Sequence, residues 1–497
     1  MFRSRLNSIL KNDLNSITFK LGILIILFIS LFLISLNIQY PYLWFDEAAT
    51  FWISQGIKID AEPLTKVGGI YDVIENNKFL NLDPGGFSIL LHFWSKINTS
   101  PTFLRLLPFL FYLGAHLVFI LLLNKSLKNI HLSIFFSLIL FVFPNFYCSA
   151  NELRAYSMEL FSILLTMYLI EMTKDFKNIN YRKIYILSVF ISISMTSRYS
   201  TMIFTVIAYG IISYNLLKSD FNFKSKIAKI TFIALPILIV STSVYIYSYR
   251  FQKNFSEKLH YLNYLLTDLK TIMNLGNLSY ILLLVILLNT YISSQKKNNL
   301  ILLTILVNIS FIFLSIIDKY PWDPMSTRCN IILLPVVFCF CTIIGEKSKK
   351  YIEYKWTKRT ILLLLIFTLN IFSYKLINKF DKPAELYTFL INYNFNDKPK
   401  IYADRWSNVS IRYLYEFGNL KSYKEKHNYP RNFKFMNSKN YLNTINKTIE
   451  WYKNQKQMDQ IKDYDLVIGP ELTHYTSQKN RKNWFLLNKE LSIYKRK

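Results

Sequence analysis

Cysteine is scarce in this chain, and so is negative charge. Four cysteines in 497 residues, at positions 148, 329, 339 and 341, have no metal-ligand spacing, and three of them fall in or beside apolar runs. Neither a disulfide framework nor a zinc site is expected from them. Asp and Glu number 31 against 59 Lys and Arg, a formal net charge of +28. In a soluble protein that excess points to nucleic acid. Here the cations sit mainly in loops between apolar runs and in the C-terminal tail, with no RNA-binding signature and no aromatic-interleaved basic face, so no nucleic-acid partner is expected. Charged residues of both signs reach only 18%, against 52% hydrophobic and 17% aromatic, which excludes a string of ordinary soluble domains. Internal repeats and low-complexity linkers are also missing.

What the chain does have is a succession of apolar runs, each about twenty residues long, the length an α-helix needs to cross about 30 Å of hydrocarbon. Candidate spans lie near 19–38, 103–123, 131–149, 154–173, 183–197, 199–217, 229–249, 276–294, 299–317, 328–345 and 360–377. The first follows Arg3, Arg5, Lys11 and Lys20 and ends in bulky Tyr40-Pro41-Tyr42-Leu43-Trp44, which predicts a retained anchor and not a cleaved signal peptide. The boundary at Thr196-Ser197-Arg198-Tyr199 is the weak point, because merging its two neighbours would reverse everything downstream.

With about eleven spans, the basic loops all fall on one side, the cytoplasmic one by the positive-inside rule. These are the N-terminus, Lys125 with Lys128, Lys174 to Lys183, Lys218 to Lys229, Lys296-Lys297, and Lys347 to Arg359. The alternate loops face outward: 39–102, Phe143 to Arg154, the turn near Arg198, 250–275, Asp318 to Arg328, and everything after 378. Gly85 to Ile97 is apolar but too short to span, so a helix lying at the outer interface is expected there. The expected fold class is therefore an all-α polytopic membrane protein with a small C-terminal α/β extracytoplasmic domain over 378–497. In that domain Lys400 to Ala403 and Asp465 to Gly469 have strand patterns, and Val409 to Phe417 has a helical one.

Three constellations could carry chemistry. The outer loop from Gln39 to Thr102 runs against the charge of the whole chain, with seven acidic residues to four lysines. In it Asp46 and Glu47 lie among Trp44, Phe45, Phe51 and Trp52, aromatics suited to a headgroup-level helix. A carboxylate half desolvated beside such rings suits a general base; the alternative is an ordinary solvated loop charge. The second constellation is Asn81-Leu82-Asp83-Pro84-Gly85-Gly86, leading into a helix with His92 and Trp94. Asp83 is expected mainly as that helix's N-cap, and His92 as a satisfied core residue more than a metal ligand. The third is a set of outward cations at helix ends: Arg105, Arg154 in Asn151-Glu152-Leu153-Arg154-Ala155-Tyr156, Arg198, and Arg328. Converging guanidiniums suit a phosphate, whereas isolated ones snorkel to the interface.

In order along the chain, Trp44-Phe45-Asp46-Glu47-Ala48, Asp83-Pro84-Gly85-Gly86-Phe87, Leu104-Arg105-Leu106-Leu107-Pro108, Glu152-Leu153-Arg154-Ala155-Tyr156 and Arg328 before Leu333-Leu334-Pro335 together resemble the GT-C membrane glycosyltransferases. The branch is similar to bacterial protein O-mannosyltransferases and the aminoarabinose transferase of lipid A. The resemblance covers roughly 19–345, with Gly85-Gly86 standing where the family commonly has a second proline. It implies a transmembrane GT-C domain over 1–377, with 39–102 as its first extracytoplasmic loop. It also implies a multi-pass protein of the bacterial inner membrane with a cytoplasmic N-terminus.

The chemistry implied is inverting transfer of a sugar from a polyprenyl phosphate donor to an acceptor hydroxyl outside the membrane. Asp46 would be the base and Glu47 its orienting partner. Arg154, Arg198 and Arg328 would hold the donor phosphate, with Asp83, His92 and Glu152 as support. No cofactor is firmly implied, and participation of a divalent cation beside Asp46 and Asp83 is open. The acceptor is a glycan, lipid or protein that these motifs do not distinguish. Two other functions compete: a lipid-linked oligosaccharide polymerase or ligase, which places its large loop late in the chain, and a lipid or solute transporter, which commonly shows two related halves.

Overall fold

The computed structural model describes residues 28, 31–32, 43–57, 67–80, 83–174, 181–249, 275–293, 298–316 and 330–348, and, in the tail, 401–403, 413, 433–435, 466–468, 484–488 and 493–496. The expected spans at 19–38 and 360–377 lie essentially outside them. The chain forms two compact units, one of Met1–Leu36, Pro108–Ile246 and Tyr261–Lys375, the other of Asn37–Leu107, Tyr247–His260 and Leu376–Lys497.

Among the described residues the second unit holds three short helices, α1 (Phe45–Ser54), α2 (Ile70–Leu80) and α3 (Gly86–Ser95), and the start of α4 (Pro101–Leu127). The three pack on one another around Ala48, Phe51, Trp52, Ile53, Val73, Phe87 and Leu91, all buried. Polar cross-links fix their register. Gln55 Nε2 donates to Ser95 Oγ at 2.7 Å, Asn76 Nδ2 to the Ile57 carbonyl at 3.1 Å, and Asn77 Nδ2 to the Asp83 carbonyl at 2.6 Å. Each satisfies a buried group that would otherwise cost stability. α3 falls where the short apolar run predicts a non-spanning helix.

The chain enters α3 through Gly85, whose φ of +96° lies in the left-handed region open to glycine. The helix's N-cap is thus Gly85, two residues beyond Asp83. This corrects the expectation that Asp83 caps it: the left-handed turn takes up the position next to the helix.

In the first unit, α5 (Ile130–Ser137), α6 (Ile139–Val142) and α7 (Pro144–Asn151) divide a stretch expected as one span at 131–149. The break between α6 and α7 follows from Pro144, which lacks an N–H, begins α7, and holds Phe143 extended at ψ 121°. There follow α8 (Tyr156–Met172), α9 (Tyr181–Ser194), α10 (Tyr199–Leu217), α11 (Phe223–Val244), α12 (Leu275–Ser293), α13 (Asn299–Ile316) and α14 (Asn330–Ser348). Between α9 and α10 the chain makes a 3-10 turn at Met195–Ser197 and then an extended residue, Arg198, with φ −151° and ψ 153°. The weak boundary is therefore a genuine break between two helices.

α8 packs against α9, α10, α13 and α14 and is buried along almost its whole length, which explains its lack of a polar face. Large apolar side chains elsewhere point outward, among them Leu117, Phe190, Val206, Leu238 and Leu282. Such a surface suits a hydrocarbon solvent, and a helix meets the matching demand that its backbone groups be paired internally. Among the described residues, Pro101–Leu127, Tyr199–Leu217 and Phe223–Tyr247 are long and apolar enough to cross a membrane, and four shorter apolar helices accompany them. The protein is a helical membrane protein.

Among the described residues the tail contributes five short strands, β1 (Ile401–Ala403), β2 (Phe433–Phe435), β3 (Leu466–Ile468), β4 (Trp484–Asn488) and β5 (Ile493–Arg496), in the order β2-β1-β3-β5-β4. β1 runs parallel to β2 and β3, while β5 is antiparallel to β3 and β4. The helical stretch expected at Val409 to Phe417 lies outside the described residues except for Tyr413.

Candidate functional site

Asp46 and Glu47 occupy the first turn of α1, where partial positive charge on the free N–H groups favours carboxylates. Successive helical residues point about 100° apart, so neighbours meet different surroundings. Glu47 turns inward and is fully buried. Arg105, from the start of α4, is also fully buried and grips it bidentately, Nε to Oε1 at 2.9 Å and Nη2 to Oε2 at 2.6 Å. The Trp44 backbone N–H also donates to Glu47 Oε2, at 3.3 Å, tying the pair to the helix start. Asp46 is only half-buried, and its carbonyl accepts from Thr50 Oγ1 at 2.8 Å. The acidic pair is thus divided, one carboxylate fixing the helix and the other at its accessible edge.

By sequence Arg105 merely begins a span. The signal that identifies it is its apolar setting in Leu104-Arg105-Leu106-Leu107: a cation there demands a buried counter-charge. Beside the pair lies Tyr413 of the tail, wholly buried, edge-on to Phe51 at 5.0 Å and donating from its hydroxyl to the Thr99 carbonyl at 2.6 Å. Burial pushes this phenol well above its ordinary range; the Arg105 charge opposes the shift and the Glu47 charge adds to it.

Asp83 is half-buried just ahead of α3. His92 is buried, and its Nδ1 lies 2.8 Å from the Ser54 carbonyl. Because a carbonyl only accepts, Nδ1 carries the proton. His92 is thereby a satisfied core residue joining α3 to α1.

In the first unit two of the predicted arginines, Arg154 and Arg198, come together. Arg154 and Arg198 each stand over the Tyr156 ring, their guanidinium carbons 5.3 Å and 5.1 Å from its centre, and Arg154 Nη2 donates to the Tyr156 hydroxyl at 3.3 Å. Arg198 Nη1 donates to Glu159 Oε2 at 3.1 Å, and Ser200 Oγ to Glu159 Oε1 at 2.8 Å. Glu159 is fully buried in the first turn of α8, near that helix's positive end. It offsets one of the two guanidinium charges and holds Arg198 in place. The π face of Tyr156 attracts both cations, and together they form a planar, donor-rich setting of the kind that pairs with phosphate oxygens.

Glu152 lies at the end of α7, half-buried, its carbonyl accepting the Arg154 backbone N–H at 2.6 Å. Arg328 lies outside the described residues. Tyr156 ends the Asn151-Glu152-Leu153-Arg154-Ala155-Tyr156 stretch with no local sign of a role, and nothing in the sequence singles out Glu159, because a Glu inside an apolar helix is identified only by the arginine that packs on it. Among the described residues, no three His, Cys, Asp or Glu side chains cluster as a metal centre would need. No protein-family model matches this chain, and no match is found among curated proteins.

Proposed function

We propose that this membrane protein is a GT-C type glycosyltransferase that moves a sugar from a polyprenyl phosphate donor to an acceptor hydroxyl on the extracytoplasmic face, with inversion at the anomeric carbon. In this reading the chain has about eleven transmembrane helices, resides in the inner membrane with its N-terminus in the cytoplasm, and carries its tail as a small extracytoplasmic α/β domain. The observation that carries the proposal is the gathering of Arg154 and Arg198 on Tyr156, with the buried Glu159 holding one of them.

The reaction needs a base and an anion holder. Asp46 accepts the proton of the acceptor hydroxyl as its oxygen bonds to the anomeric carbon. The bond from that carbon to the phosphate oxygen breaks, and the phosphate leaves with the electron pair. A phosphate is already a good leaving group, so donors for its growing charge matter more than a general acid; Arg154 and Arg198 supply them, and Arg328 is assigned the same task. Glu47, committed to Arg105, positions α1 and takes no proton from the acceptor. Asp83, His92 and Glu152 act as structural support.

The test uses the purified full chain in vesicles with a polyprenyl phosphate sugar and a panel of hydroxylated glycan, lipid and peptide acceptors. The expected result is acceptor-dependent release of free polyprenyl phosphate with the sugar on the acceptor, and the same assay with a chelator decides whether a divalent cation takes part. Movement of lipid across the bilayer without donor cleavage would replace the proposal with a transporter.

A further inference from the structure

Three residues before Arg154, at the last position of α7, Asn151 is 1% exposed, and neither its Nδ2 nor its Oδ1 has a hydrogen-bond partner among the described residues. Ser157, one residue beyond Tyr156, is fully buried with its Oγ equally unpartnered. A buried amide with both ends unpaired is rare in folded proteins, because desolvating each end without a partner is costly. Two such residues bracket the segment that carries Arg154 and Tyr156. That placement suggests an arrangement completed by a molecule that binds there.

The chemistry of the orphaned atoms narrows the class of molecule. Nδ2 donates and Oδ1 accepts, and Ser157 Oγ does either. An ionised phosphate diester offers acceptors alone, so it can satisfy Nδ2 but leaves Oδ1 facing another acceptor. Adjacent sugar hydroxyls, each both donor and acceptor, satisfy the amide at both ends. Resting on the assignment of Arg154 and Arg198 to the donor phosphate, we infer that Asn151 and Ser157 bind the hydroxyls of the sugar attached to that phosphate. The α7–α8 connection then distinguishes a glycosylated carrier from the bare one.

The experiment measures binding of two lipids, polyprenyl phosphate and the same carrier bearing a hexose, to the full chain in nanodiscs. For Asn151→Leu, close in shape and without polar atoms, the expected result is at least tenfold weaker binding of the glycosylated lipid with the bare lipid unchanged. Arg154→Leu weakens both. Ligand-free Asn151→Leu is expected to melt at or above the wild-type temperature, because an apolar isostere relieves unpaired groups. A drop in melting temperature indicates instead that a resident water or a structural contact already satisfies Asn151, and overturns the inference. Equal binding of the glycosylated lipid by wild type and Asn151→Leu overturns it too, leaving the phosphate assignment intact. Failure of wild type to bind either lipid removes both.

Discussion

Replacing Arg105 with leucine strands a carboxylate. Glu47 and Arg105 are both fully buried and share two short hydrogen bonds, at 2.9 Å and 2.6 Å. Removing one member of such a pair leaves an uncompensated charge in a low-dielectric interior and costs about 3–5 kcal/mol, a large share of any domain's stability. Removing both with apolar residues is often neutral, because the desolvation penalty disappears together with the attraction. The double variant Glu47→Leu/Arg105→Leu is therefore expected to recover most of what Arg105→Leu loses. Equilibrium unfolding in mixed micelles, followed by tryptophan fluorescence, measures all four corners of the cycle. An Arg105→Leu protein within about 0.5 kcal/mol of wild type, the range of an ordinary surface substitution, would refute the claim that this pair anchors α1.

Other consequences are equally direct. Tyr413→Phe removes the donor to the Thr99 carbonyl and should cost about 1–3 kcal/mol by the same unfolding assay. Burial raises the Tyr413 phenol above its ordinary 10.0, so its contribution to stability is present in full below that pH and is lost progressively above it. Unfolding measured across alkaline pH should therefore fall more steeply for wild type than for Tyr413→Phe. At Gly85, alanine must adopt φ +96° with its Cβ 3.1 Å from Asn77 Nδ2, an expected loss of about 1–3 kcal/mol in unfolding free energy. Arg154→Lys keeps the charge but loses the planar fork, and should weaken polyprenyl phosphate binding about tenfold in a lipid-binding titration.

Much of the helical framework was legible because it rests on a local property, the length of apolar runs. The helices at Tyr199–Leu217 and Asn299–Ile316 begin and end close to where hydropathy predicts, and the short run after Gly85 gives a short helix. The division of the stretch at 131–149 into three helices is not legible in hydropathy, which averages over Pro144, whose missing N–H and extended predecessor separate the last two of them. For the candidate site, the types of residue were visible and their pairings were not. Glu47 and Arg105 are 58 positions apart and Tyr413 lies 314 from Thr99, distances over which no periodicity carries information. Arg154 and Arg198 had two readings, converging or snorkelling alone, and only packing of the α8 start against the α9–α10 break brings both to Tyr156. Asp83 was assigned a capping role on a common pattern that the left-handed Gly85 displaces.

The most direct test of the account concerns Asp46, the half-buried carboxylate at the start of α1. Purified wild type and Asp46→Asn, matched for melting temperature, are given a polyprenyl phosphate sugar and an acceptor in vesicles, and release of free polyprenyl phosphate is timed. The amide keeps the size of the side chain but cannot take the acceptor's proton. The account predicts a loss of at least about a hundredfold in rate, the lower end of what general-base catalysis supplies, with donor binding unchanged. Consumption of donor at the wild-type rate by Asp46→Asn would contradict it.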